Sequence, residues 1–267
     1  MPKTDPASST AAEPVPKRSL ASQTLFRGLE IVDAVSQGFT TLPEISKQTG
    51  ISYSTAHRLA SALTEIRYLQ HEPRKGYSLG SRLIELGFQA HRQSDILGCA
   101  RPYLERLAAQ TRDTVHLATL IGDEVVYLDK LAGQRAVEIS SHIGGRKPVC
   151  TTGVGKALLI DSGEPEWRRL YTREAAKAPQ MPPEAVWIDA MRGYAQADYA
   201  FDLGEDEPSI RCVAAPIRDA TNRIVAAVSV SSAVQYMDSE RVQALIPVIR
   251  RAAADISQQL GGKPARP

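Results

Sequence analysis

The chain has 267 residues, more than one average domain needs and enough for two. Its 43% hydrophobic and 23% charged content is that of a globular protein, and its net charge of +2 points by itself to no partner. No apolar run approaches the ~18 residues of a membrane span, and the opening MPKTDPASSTAAEPVPKRS has no apolar core for a signal peptide, so the expected location is cytoplasmic. Residues 1–19, rich in Pro, Ser, Ala and Thr, read as a disordered arm. Lys17 and Arg18 close that arm, either to touch phosphate or a minor groove or as a solvated flank. Leu25, Leu29 and Val32 then predict a supporting helix.

The stretch TTLPEISKQTGISYSTAHRLASALTEIRYL, from Thr40 to Leu69, predicts two short helices joined by a tight turn. Leu42 and Ile45 face one core, Gly50 stands where a left-handed cap is wanted, and Ser52 is a good N-cap for the second helix. Ala56, Leu59, Ala60 and Leu63 make an apolar stripe at i, i+3, i+4 and i+7. Tyr53, Ser54, Thr55, His57 and Arg58 open that helix with groups that reach base edges in a major groove. Arg58 is the first choice, because its fork matches guanine bidentately. The bland alternative is an ordinary solvated helix face. Two short strands, Tyr68–Gln70 and Tyr77–Leu79, flank turn chemistry that carries Arg74 and Lys75. The order helix, helix, helix, hairpin is a winged helix-turn-helix, with the wing cations placed for phosphate. From Lys17 to Arg82 there are nine Lys or Arg against five Asp or Glu, a modest basic excess that permits DNA binding without establishing it.

Residues 81–94 predict a linker helix after a DNA-binding domain at 20–80, and a second domain follows at 95–262. There a helix over Ile96–Gln110 precedes a hairpin, Val115–Ile121 and Glu124–Lys130, turned by Gly122 and Asp123. Further strands are expected at Ala136–Ser141, Tyr199–Leu203, Ser209–Pro216 and Ile224–Ser231. Helices are expected at Thr152–Ile160, Pro183–Gly193 and Asp238–Leu260, with Pro247 bending the last or removing a hydrogen bond. Hairpins dominate, so the fold class is α+β, a mainly antiparallel sheet with packed helices.

Thr152-Gly153-Val154-Gly155-Lys156 is a poor match to a phosphate loop, since Ala157 stands where a magnesium-binding hydroxyl is needed. Its glycines open a helix and offer N–H groups to a small anion, or simply pack closely. Ser229 and Ser231 share one strand face while Val228 and Val230 share the other. The three cysteines, Cys99, Cys150 and Cys212, are widely spaced and read as free packed thiols, and no zinc-ligand spacing, cofactor motif or catalytic group is found. A nucleophile–base pair of Cys212 with His116 or His142 has no local signature, and a ligand-free DNA-binding protein leaves the second domain unused.

TTLPEISKQTGISYSTAHRL with the wing YSLGSRLIELG resembles the IclR family of bacterial transcription regulators. KPVCTTGVGKALL and SIRCVAAPIRDATNRIVAAVSVSS resemble the two signature stretches of that family's effector domain, and the likeness runs from about Leu20 to Leu260. It implies a GAF-like sensor domain and control of a catabolic operon; because one recognition helix reads only a few base pairs, the expected operator is a pseudo-palindromic double-stranded DNA bound by a dimer. It implies a homodimer, or a dimer of dimers, built partly by the first and linker helices. It also implies a small-molecule pocket that uses an acidic residue, the cysteine of RCVAAP and serines of the final strand. Asp202, Cys212, Ser229 and Ser231 match those positions; Thr152, Gly153 and Val154 complete the expected site for a small carboxylate metabolite.

Overall fold

The computed structural model describes residues 20–93, 95–136, 139–178 and 181–262 and divides the chain into two units, Met1–Gln93 and Ser94–Pro267. The arm with Lys17 and Arg18 lies outside the described residues.

In the first unit three helices, α1 (Leu20–Ser36), α2 (Leu42–Thr49) and α3 (Tyr53–Glu65), precede the hairpin β1 (Leu69–Glu72) and β2 (Gly76–Leu79) and a further helix, α4 (Ser81–Gln93). Glu44 closes the start of α2 by accepting from the amides of Thr40 and Thr41, and Gly50 ends it at φ +68°, the left-handed cap its position requires. Ser52 occupies the N-cap of α3, but its hydroxyl donates to Thr55 Oγ1 rather than accepting from a backbone amide. Ile31, Val35, Ile45, Ala56, Ala60 and Leu69 form the core, with Leu42, Leu63 and Leu83 packed at its edge. The expected inward stripe of α1 is only partly right. Val32 is buried, but Leu25 and Leu29 are 64% and 46% exposed, because the core takes the neighbouring face through Ile31, Ala34 and Val35. Tyr77 N–H donates to Thr40 O at 2.7 Å, and a Cβ on Gly76 would lie 2.3 Å from that oxygen, so the wing hairpin sits directly on the approach to α2.

The second unit is a six-stranded antiparallel sheet. Its strands are β3 (Thr114–Ile121), β4 (Glu124–Leu131), β5 (Arg146–Pro148), β6 (Ala200–Asp202), β7 (Ile210–Arg218) and β8 (Ile224–Ala233), in the order β5-β4-β3-β8-β7-β6. Helices α5 (Ile96–Thr111) and α9 (Ser239–Gln259) cover one face through Leu104, Leu107, Leu245 and Ile249, which meet Val115, Val213, Val228 and Val230. Helices α6 (Gly153–Leu158), α7 (Glu164–Ala175) and α8 (Glu184–Ala197) cover the other through Leu158, Leu170 and Trp187, which meet Ala118, Cys212 and Ala214. Asp238 caps α9, which continues through Pro247. Asp113 is fully buried and joins β3 to α9: it accepts from Arg135, Arg241 and Ser232.

Three elements depart from the sequence expectation. No strand forms at 139–141; Lys130 Nζ donates to the carbonyls of Ile139 and Ser141 in place of a ladder, and Val137 and Glu138 lie outside the described residues. The helix α7 and the short strand β5 were not expected. Among the described residues no helix is long and apolar enough to cross a membrane.

Candidate functional site

In the first unit, helix α3 buries Ala56, Leu59 and Ala60 and turns Tyr53, Ser54, His57 and Arg58 outward. Ser54, His57, Arg58 and Ser61 follow at i, i+3, i+4 and i+7, one face opposite the core. Thr55 is half-buried, its hydroxyl tied to Ser52. Arg74 and Lys75 lie at the exposed tip of the hairpin, and Lys75 pairs with Glu72 at 2.8 Å. Arg74 is therefore the wing cation without an ion pair among the described residues.

In the second unit, the face of β8 that carries Ser229 and Ser231 turns towards α6, and Val228 and Val230 turn the other way. Antiparallel pairing sets Thr114, Ser231, Cys212 and Asp202 side by side across β3, β8, β7 and β6. Beside them a cavity of about 30 Å³ is bounded by Thr152, Gly153, Val154, Asp202, Cys212 and Ser229. Six of the seven effector residues expected from sequence thus meet at one cavity; Ser231, paired with Cys212 across β7 and β8, does not line it. The glycines of α6 serve close packing: a Cβ on Gly153 would meet Cys212 Sγ at 2.8 Å, and one on Gly155 would meet Val149 O at 2.2 Å. Thr152 Oγ1 accepts from Gly155 N–H. Behind the loop, Glu174 of α7 accepts from the amides of Val149 and Cys150 at 3.0 and 2.8 Å, which holds the entry to α6 in place.

A buried ion pair stands next to Asp202, outside the cavity lining. Lys156, 1% exposed, donates to Glu205 at 2.7 Å. Burial works against ionised Glu205, yet Lys156 holds it below the usual carboxylate range. Burial pushes neighbouring Asp202 upward despite Lys156 and the amides of Gly204 and Glu205 that its carboxylate accepts. Asp202 is therefore the member of the pair that protonates first.

Seven further residues that carry no local signal in the sequence, Tyr127, Ile139, Ser141, Lys147, Asp206, Glu207 and Ile210, also line the cavity. They arrive from strands and loops far apart in the chain, and only the pairing of β4 with β5 and the β6–β7 loop brings them together. His116, 2% exposed, adjoins them: its ring lies 4.7 Å from that of Tyr127, and Nε2 is 2.6 Å from Ser141 Oγ. Its Nδ1 has no hydrogen-bond partner among the described residues.

A nucleophile–base reading fails on these groups. Burial pushes the Cys212 thiol up to about 12 and, with Lys130 and Lys147 nearby, pushes His116 down to about 3. Neither a thiolate nor an effective base is present near neutral pH. His142 is exposed, whereas Cys212 is buried.

Comparison with known proteins agrees with both units. Residues 24–73 match the IclR helix-turn-helix domain, and residues 88–258 match the bacterial transcriptional regulator IclR C-terminal domain. The HTH-type transcriptional regulator XynR of Escherichia coli is 32% identical over 245 residues, 90% of this chain and 97% of that protein. The structure of the repressor BlcR of Agrobacterium tumefaciens superposes with a TM-score of 0.77 at 24% identity, covering 92% of this chain and all of that one. An IclR homolog from Microbacterium hydrocarbonoxydans, solved in complex with 4-hydroxybenzoate, superposes with a TM-score of 0.55 at 25% identity, covering 89% of this chain and 98% of that one. These relatives are regulators and not enzymes. With two family domains in order over most of its length, the chain belongs to the IclR family of DNA-binding transcription regulators.

Proposed function

We propose that the chain regulates a catabolic operon. It does so as a homodimer, or a dimer of dimers, on a pseudo-palindromic duplex, in the cytoplasm. In this reading residues 20–80 bind DNA, 81–94 form a linker helix, 95–262 bind the effector, and 1–19 are an arm. Tyr53, Ser54, Thr55, His57 and Arg58 enter the major groove, and Arg74 and Lys75 meet phosphate. The outward faces of Leu25 and Leu29 on α1 support a subunit contact, because exposed apolar side chains on one helix gain from burial.

The effector is a small carboxylate that also carries a hydroxyl or carbonyl group. One observation carries this: in a unit of its own, hydroxyl-bearing Ser229, the thiol of Cys212 and Asp202 face the helix start at Gly153 and Val154 across one cavity. Amides at that start suit an anion, and the serine hydroxyls and Asp202 suit a hydroxyl or carbonyl. The 4-hydroxybenzoate held by the Microbacterium homolog has both features, which supports the reading. Calorimetric titration of the full chain with glycolate, pyruvate and 4-hydroxybenzoate tests it. Binding of an acid that Ser229→Val weakens supports the pocket; a natural effector that proves to be a cation contradicts it.

A further inference from the structure

The cavity is small, and of the residues that line it Lys147 is the one cation, held by two carboxylates that line it too. Lys147 of β5 lines it, and its Nζ donates to Asp206 Oδ2 at 2.7 Å and Glu207 Oε1 at 2.9 Å. Both acids line it too, on the loop between β6 and β7. Burial works against the charge of Lys147, yet these two partners raise it above the usual lysine value.

Charge gives this pairing a consequence for an acid. Four carboxylates, Asp202, Glu205, Asp206 and Glu207, meet two ammonium groups, Lys147 and Lys156. Lys156 is sealed against Glu205. The side chain of Lys147 is 25% exposed, so it is the cation that an entering anion can reach. An acid that simply added itself to this wall would meet like charge on the loop. An acid that took over Lys147 would instead displace two carboxylates into water and leave the ammonium paired.

We propose that Lys147 joins the amides of Gly153 and Val154 in receiving the effector's carboxylate, and that Asp206 and Glu207 compete for that place. Binding exchanges carboxylates on one ammonium and frees the β6–β7 loop. The loop stays anchored at its β6 end, where Asp202 accepts from Gly204 and Glu205, and gives up the contact of Asp206 with Thr151 Oγ1 at 3.3 Å. A neutral amide of the same shape cannot drive the exchange. The inference rests on the acid reading of the effector and adds the residue that selects for it.

Hydrogen exchange of residues 203–209 in the full chain tests it. The probes are acetate, glycolate and 4-hydroxybenzoate, each against its own amide and against chloride at equal ionic strength. At least one acid should change loop exchange several-fold, with the amide and chloride inert. Lys147→Met should abolish the response and Lys147→Arg should keep it. Calorimetry should show Asp206→Asn with Glu207→Gln binding the acid about tenfold tighter, since the internal competitor is gone. A wild-type response in Lys147→Met, no gain in the double variant, or no acid acting on any variant overturns the proposal. If acids shift DNA affinity equally in wild type and Lys147→Met, the acid effector stands and Lys147 falls. If the loop responds through Lys147 while no acid alters DNA affinity, Lys147 binds acids but not an effector, and the proposal falls with the acid reading.

Discussion

The side chain that Gly153 lacks would stand 2.8 Å from the Sγ of Cys212, so the start of α6 rests on β7 with no room for a methyl group. Gly153→Ala should therefore overpack this contact and cost about 1–3 kcal/mol of unfolding free energy. Adding Cys212→Ala removes the sulfur and should recover most of the loss. Urea unfolding of the two variants checks it; additive losses would mean that the contact is not what requires glycine.

His116 should make the protein acid-sensitive. Its folded value is pushed down to about 3 from an ordinary 6.5, first by burial and then by Lys130 and Lys147. Its contribution is complete above pH 6.5 and is lost as pH falls from there towards 3, because the unfolded chain takes a proton that the folded chain refuses. Relative to His116→Gln, the wild type should lose about 1.4 kcal/mol per pH unit through that window. Parallel unfolding curves at pH 7.5 and 5 would show no difference between the two if the imidazole titrated normally.

Asp113 is fully buried and shared by Arg135, Arg241 and Ser232. Asp113→Ala leaves the guanidinium groups of Arg135 and Arg241 without their shared anion and should cost about 3–5 kcal/mol. A chemical-denaturation midpoint close to that of wild type would contradict the view that this network holds β3 to α9.

Arg58 and Arg74 should fail in different ways. Arg58→Ala should lose about 1–3 kcal/mol at one symmetric base position. Arg74→Ala should weaken all sequences alike and lower the salt slope by about one. Fluorescence anisotropy over a salt series separates them; tight, selective binding by Arg58→Ala would move base reading to another residue of α3.

The helix-turn-helix was legible because its signals are local: a period of 3.6 in Ala56, Leu59 and Ala60, and the cap at Gly50. Leu25 and Leu29 misled because an apolar stripe announces burial without saying against what. In the second unit, the alternation of Ser229 and Ser231 with valines gave the polar face. Lys147 facing Asp206 and Glu207, and Glu174 holding the amides of Val149 and Cys150, depend on pairings across the sheet and packing of α7, which no local pattern carries. At 139–141 the expected strand gave way where Lys130 took the carbonyls of Ile139 and Ser141.

In the proposed function an acid in the second unit controls the grip of the first on DNA. Duplexes selected from a random pool by the full chain, then bound with and without glycolate, pyruvate and 4-hydroxybenzoate, measure that coupling. Their consensus should be pseudo-palindromic. At least one acid should shift the Kd about 5- to 150-fold, and Ser229→Val should keep the acid-free Kd but lose the shift. A Kd that no acid changes, or a shift that survives Ser229→Val intact, would contradict it.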